Sequence, residues 1–188
     1  MLRYPSSPEW LKAVMDDFDT FLIDHAAAEK KASGMAISML SHYPDKPALV
    51  KAMIDLSIEE MTHFREVVKL MTERHLLLGA DTKDQYVIEL RKLIRKGSDA
   101  YFMDRLLVAG IIEARGCERF GLIAEALPEG KLKKFYCGIT TSESRHEDLF
   151  INLARHYFSD NDIQIRMDTL LDYEAEICAG LPIKAALH

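Results

Sequence analysis

Glu59-Glu60-Met61-Thr62-His63-Phe64 and Ser142-Glu143-Ser144-Arg145-His146 each set a glutamate and a histidine three positions apart. On a helix that spacing puts both side chains on one face. Extended at intervals of three and four, the first face reads Met53, Leu56, Glu60, His63, Val67, Leu70, and the second Phe135, Ile139, Glu143, His146, Phe150, Leu153, Tyr157. Two more stripes share this period: Phe18, Leu22, His25, Glu29, Ala32, Ala36, Met39, and Phe102, Leu106, Ala109, Glu113, Gly116, Phe120, Ile123. Apolar stripes of this kind face the core of a helix bundle. Each of these four carries one glutamate near its middle. Glu29 precedes Glu60 by 31 positions and Glu113 precedes Glu143 by 30, so the chain reads as two copies of one helix pair.

A bare carboxylate inside a bundle is strongly destabilising, and four facing one another repel as well. Two divalent cations supply four positive charges against four carboxylates, and two neutral imidazoles complete the shell. The spacing therefore predicts a two-metal site built from Glu29, Glu60, His63, Glu113, Glu143 and His146. One Glu from each of two helices plus Glu-x-x-His from each of two others is the pattern of ferritin-like di-iron proteins, so iron is the expected metal. Oxygen and nitrogen ligands also accept manganese. Glu59 is the nearest rival to Glu60, but it sits about 100° off the stripe and reads as a surface carboxylate. His25, one turn before Glu29, fits either a partner that supports the Glu29 carboxylate or a satisfied core histidine, and the second is preferred. Met53, Phe120 and Phe150 read as packing. Ala26, Ala28, Ala32, Ala109, Gly110 and Gly116 crowd the metal level, which suits both close helix approach and room for dioxygen and a substrate group.

Breakers at Pro5 and Pro8, Pro44 and Pro47, Gly79 to Asp81, Gly97, Pro128 with Gly130, and Asp160 to Asp162 divide the chain into helical segments. The first runs from a cap at Ser7 to about Leu40, and the second from a cap at Asp45 to about Leu77. A short helix covers Val87 to Ile94, a third long one runs from a cap at Ser98 to about Leu127, and a fourth follows Pro128 to about Phe158. The last covers about Asp162 to Ile177. No segment alternates long enough for a strand, so the class is all-α: a ferritin-like four-helix bundle with additional short helices.

The 188 residues and 48% hydrophobic content fit one globular domain, 1–188. No charge-free stretch spans a bilayer and no secretion signal begins the chain, so a soluble, cytoplasmic protein without a membrane partner is expected. Cys117, Cys137 and Cys178 form no C-x-x-C pair and read as buried free thiols. A net charge of −6 argues against general nucleic-acid binding. Any polyanion must meet a local patch drawn from Lys30-Lys31, Arg91-Lys92 with Arg95-Lys96, Arg115 with Arg119, or Lys131-Lys133-Lys134.

Particular stretches narrow the reading. Asp24 to Ala32 (DHAAAEKKA), Glu59 to Phe64, Ile112 to Phe120 (IEARGCERF) and Ser142 to His146 resemble the MiaE family of tRNA hydroxylases. The likeness extends from about Trp10 to Phe158, and Ile112 to Phe120 is its most family-specific part. The resemblance implies dioxygen-dependent hydroxylation of the isopentenyl group of 2-methylthio-N6-isopentenyladenosine next to the tRNA anticodon. It also implies the six residues above as iron ligands and an external electron donor. An allylic methyl C–H carries no acidic proton, so acid–base residues alone do not activate it, whereas a redox metal pair with dioxygen does. No catalytic residue beyond the metal ligands, and no substrate-binding residue, is assigned. A quinone-ring di-iron hydroxylase and a bacterioferritin-like storage protein share the ligand set. The first needs a membrane-facing apolar surface, for which no strong candidate lies outside the core stripes, and the second needs a cage. A rubrerythrin-type peroxidase needs a four-cysteine site, which three cysteines exclude.

Overall fold

The computed structural model describes residues 2–188, with seven helices and no strand among them: α1 (Pro8–Asp16), α2 (Phe18–His42), α3 (Pro47–Glu73), α4 (Gln85–Lys92), α5 (Ser98–Ala126), α6 (Lys131–Tyr157) and α7 (Asp160–Gly180). They fall into two compact units. One comprises Lys12–Thr82 with Lys184–Leu187, and the other the N-terminal residues to Leu11, Lys83–Ile183 and His188.

The expected first helix is two helices. Asp17 leaves helical geometry at φ −135°, and its carboxylate accepts from the Thr20 N–H at 3.2 Å, which caps α2. A short acidic side chain that bonds nearby backbone competes with helix continuation. In the first unit α2 and α3 pack through Phe21, Leu22, Ala26, Ala36 and Met39 against Leu49, Met53, Leu56, Val67 and Met71. A fully buried side chain such as Leu22 or Met53 contributes about 1.5–3 kcal/mol. Ser33 donates to the Ser57 carbonyl at 2.9 Å and fixes the register of the pair.

α3 starts one residue later than expected, with Lys46 at the cap and Pro47 in the first turn, where its missing N–H is not needed. It also ends earlier, at Glu73. There His75 adopts φ 58°, the Leu76 N–H bonds to the Met71 carbonyl at 2.9 Å, and the His75 N–H bonds to the Thr72 carbonyl at 3.1 Å. This is a Schellman motif with histidine in the left-handed position usually held by glycine. It sends Leu76 to Leu78 off the helix and into the following segment.

In the second unit Asp84 caps α4 by accepting from the Val87 N–H at 3.1 Å, and Ser159 caps α7 by accepting from the Asp162 N–H at 3.2 Å. Gly97, at φ 99°, takes the cap position of α5 in place of Ser98. α5 is buried on most sides, from Phe102 to Ala124. At Gly110 an added Cβ would lie 3.3 Å from Phe150 Cβ, so the small residue there serves the close approach of α5 to α6.

Two charged groups that α5 takes inside, Asp104 and Arg115, are matched by opposite charges. Asp104 is fully buried between Arg95 (2.8 Å) and Arg166 (2.8 Å). Burial pushes its carboxyl upward, but hydrogen bonds from the two guanidiniums outweigh that and hold it below the ordinary value. Arg115, fully buried, donates through Nη2 and Nε to Glu174 of α7 at 2.7 and 2.9 Å and through Nη1 to Glu118 at 2.9 Å. Its Nη2 also reaches the Tyr4 carbonyl at 2.7 Å, which ties the N-terminal arm to α5. The three thiols are free, but Cys137 lies exposed on α6 and Cys117 and Cys178 are only half buried, which corrects the expectation of buried thiols. Burial pushes the Cys117 thiol up to about 11. No helix among the described residues is long and apolar enough to cross a membrane.

Candidate metal centre

Each unit assembles one Glu/Glu/His triad. In the first, Glu29 of α2 and Glu60 and His63 of α3 are buried, Glu60 to 1% exposure. His63 Nδ1 lies 3.3 Å from Glu60 Oε2 and 3.5 Å from Glu29 Oε2. In the second, Glu113 of α5 and Glu143 and His146 of α6 are buried as well. His146 Nδ1 lies 3.2 Å from Glu143 Oε2 and 3.9 Å from Glu113 Oε2. Within each triad the ligand atoms all fall within 4.8 Å of one another. The fourth residue on, Val67 after His63 and Phe150 after His146, is buried and apolar, so the stripe closes over the polar groups on that side.

The donor chemistry fits a transition metal. Two carboxylates and one imidazole per triad, with no thiolate, suit divalent iron or manganese. Two acids buried together in each unit need a cation to offset their desolvation and mutual repulsion. Glu59, the rival to Glu60, is half exposed and lies off this face.

For His25 the structure favours the less preferred of its two readings, a partner of Glu29. Its Nε2 lies 2.6 Å from Glu29 Oε1 and both groups are buried, so the ring orients the Glu29 carboxylate through the oxygen that does not face His63. One turn before Glu113 the equivalent stripe position is Ala109, which has no polar side chain. The two triads are therefore alike in residue types and unlike in what stands behind them. Sequence inspection also overlooked Glu174. It lies on the apolar stripe of α7 that Ile163, Met167 and Leu170 define, and it is neutralised by Arg115 and hydrogen-bonded by the Tyr86 hydroxyl at 2.9 Å.

Helix pairs that carry Glu and Glu-x-x-His on their buried faces define the ferritin-like class of carboxylate–histidine metal proteins. A solved structure described as "Protein 43 with aldehyde deformylating oxygenase activity from Synechococcus" matches all of this chain and 94% of its own, with a TM-score of 0.94 and 33% identity. The chain belongs to the MiaE family, whose sequence model, described as tRNA-(MS[2]IO[6]A)-hydroxylase (MiaE), matches residues 1–188. A Pseudomonas putida protein named tRNA 2-(methylsulfanyl)-N(6)-isopentenyladenosine(37) hydroxylase is 34% identical over 94% of this chain and 85% of that protein. The Salmonella typhimurium protein of the same name is 31% identical over 82% of this chain, which covers 56% of its length.

Proposed function

We propose that the two triads together hold two iron ions, and that the chain hydroxylates the isopentenyl group of 2-methylthio-N6-isopentenyladenosine beside the anticodon of tRNA. The observation that carries the reading is the repeated buried triad, Glu29/Glu60/His63 and Glu113/Glu143/His146, in a member of this family. Residues 1–188 then serve as one ferritin-like domain, in the cytoplasm, where tRNA is found. When bound, an iron pair supplies two-electron activation of dioxygen and an oxidant able to cleave an unactivated C–H bond. Per turnover one oxygen atom enters the substrate and the other leaves as water, which requires two electrons and two protons. An external donor protein supplies the electrons.

The chain's own residues do the rest. Glu29, Glu60, Glu113 and Glu143 neutralise the cationic centre, and His63 and His146 fix its position from the i+3 places of α3 and α6. The apolar stripes around them exclude water, which otherwise quenches a strong oxidant. His25 holds Glu29 in one orientation.

The direct test incubates reduced, iron-loaded protein with prenylated tRNA and oxygen and weighs the released nucleoside. A gain of one oxygen atom supports the reading, and an unchanged nucleoside with loaded iron overturns it. The Synechococcus structure gives a specific reason to include a fatty aldehyde in parallel. Loss of its carbonyl carbon as the sole reaction marks an aldehyde deformylating enzyme instead.

The His25 contact makes the two metal positions unequal. His25→Ala is expected to weaken one position by about 10–100-fold and leave the other near wild type, the usual consequence of removing a group that orients a ligand. Metal titration should resolve one tight and one weakened equivalent, and two unchanged tight equivalents would show that His25 serves packing alone.

A further inference from the structure

The segment after α3 forms a strap along α2, pinned at four points. Arg74 Nη1 donates to Asp19 Oδ1 at 2.7 Å. Gly79 lies so close to α2 that an added Cβ would come within 3.1 Å of Ile23 Cγ2. Lys30 Nζ donates to Asp81 Oδ1 at 2.7 Å, and Lys31 Nζ to the Thr82 carbonyl at 2.8 Å. As residues 74–82 advance, their partners on α2 advance from 19 to 31, about 18 Å along the helix axis. The strap therefore runs past the turns that carry His25 and Glu29.

Between the first two pins the strap holds Leu77 and Leu78 out in solvent, at 84% and 53% exposure. Adjacent exposed leucines on a segment fixed by a Schellman turn at one end and three anchors beyond are a presented surface, not a frayed end. Cations accompany them: Arg74 leads into the pair, and Lys30 and Lys31 follow Glu29 directly. Asp19 and Asp81, the acids bonded to these cations, form half-exposed pairs, which a polyanion displaces at little cost.

We propose that this strap is where the chain grips single-stranded RNA: Leu77 and Leu78 wedge between unstacked bases, while Lys30 and Lys31 take the flanking phosphates. The inference rests on the tRNA reading above and gives it a location on α2. Aliphatic side chains separate stacked bases in this way, and RNA loops offer bases already splayed from a helix. Two leucines fall well short of the apolar face by which an interfacial helix holds a membrane.

The test uses the full chain and an anticodon stem-loop that carries the prenylated adenosine with 2-aminopurine as its neighbour. Wild type is expected to bind in a salt-dependent manner and to raise the 2-aminopurine fluorescence as the base unstacks. L77S/L78S should bind roughly tenfold more weakly and lose that rise, with helical content and iron loading unchanged. L77F should keep both, because an aromatic ring also stacks on bases. K31Q should lower the slope of log affinity against log salt by about one. Wild-type affinity and fluorescence in L77S/L78S overturn the strap assignment, as does leucine-dependent capture on phosphatidylserine vesicles in place of the hairpin. Failure of the wild-type chain to bind the hairpin at all sinks the tRNA reading together with it, whereas hairpin binding that ignores all three variants sinks the strap alone.

Discussion

Glu113→Ala and His146→Ala are each expected to lower iron from about two per chain to one or fewer, and to reduce hydroxylation at least about 100-fold. Their effects on the metal-free protein should differ in sign. Glu113 and Glu143 are buried together, with ligand atoms within 4.8 Å. Without a cation their charges repel in a poorly solvated place, so deleting one carboxylate relieves the metal-free fold. His146 adds no negative charge, and its loss leaves both acids behind with one neighbour fewer. Metal-free Glu113→Ala should therefore melt above metal-free wild type, and metal-free His146→Ala at or below it. With iron present the order reverses for Glu113→Ala, because a ligand that binds only the folded state stabilises it in proportion to its affinity. Iron analysis together with melting curves in chelator and in ferrous iron decides the matter. Full loading in both variants, or a metal-free Glu113→Ala that melts below wild type, would remove these two residues from the centre.

The six candidate ligands stood out because each breaks an apolar stripe at a motif spacing, and the structure buries each of them within its own triad. The same stripe signal stands at Glu174, yet the structure neutralises it with a guanidinium. An inward acid alone thus announces a cation, and what sets the two triads apart from an ion pair is the Glu-x-x-His on the helix paired with it. What local pattern does not carry was missed. Apolar periodicity runs through Asp17, so the break between α1 and α2 became visible only in the bond from the Thr20 N–H to the Asp17 carboxylate. Leu76 to Leu78 extend the apolar pattern of α3, and the helix ends before them because of the turn at His75, a backbone geometry that residue type rarely signals. His25 and Glu29 sit one turn apart in the sequence, but their bond depends on rotamers that spacing does not fix.

Arg115→Met is the substitution expected to harm the fold most. The side chain is fully enclosed, and it lies two residues from Glu113, so its direction on α5 is about 200° away from that ligand. Its charge serves Glu174, also fully buried, and its remaining donors tie Tyr4, Ser6 and Glu118 to the same point. Burial alone would pull the guanidinium pKa down, but the Glu174 carboxylate reverses this and holds it above its usual value. Removing one member of such a pair strands the other, at a cost of about 3–5 kcal/mol. For a chain of this size that lowers Tm by roughly 6–20 °C. Arg115→Lys should recover little, since an ammonium lacks the planar fork that reaches Glu174, Glu118 and the Tyr4 carbonyl together. Arg115→Met/Glu174→Leu should recover much of the loss, because a buried pair exchanged for apolar groups is often neutral in stability. Thermal melts of the three variants separate the alternatives: a double variant as unstable as Arg115→Met would place the cost in the freed N-terminal arm instead of the stranded carboxylate.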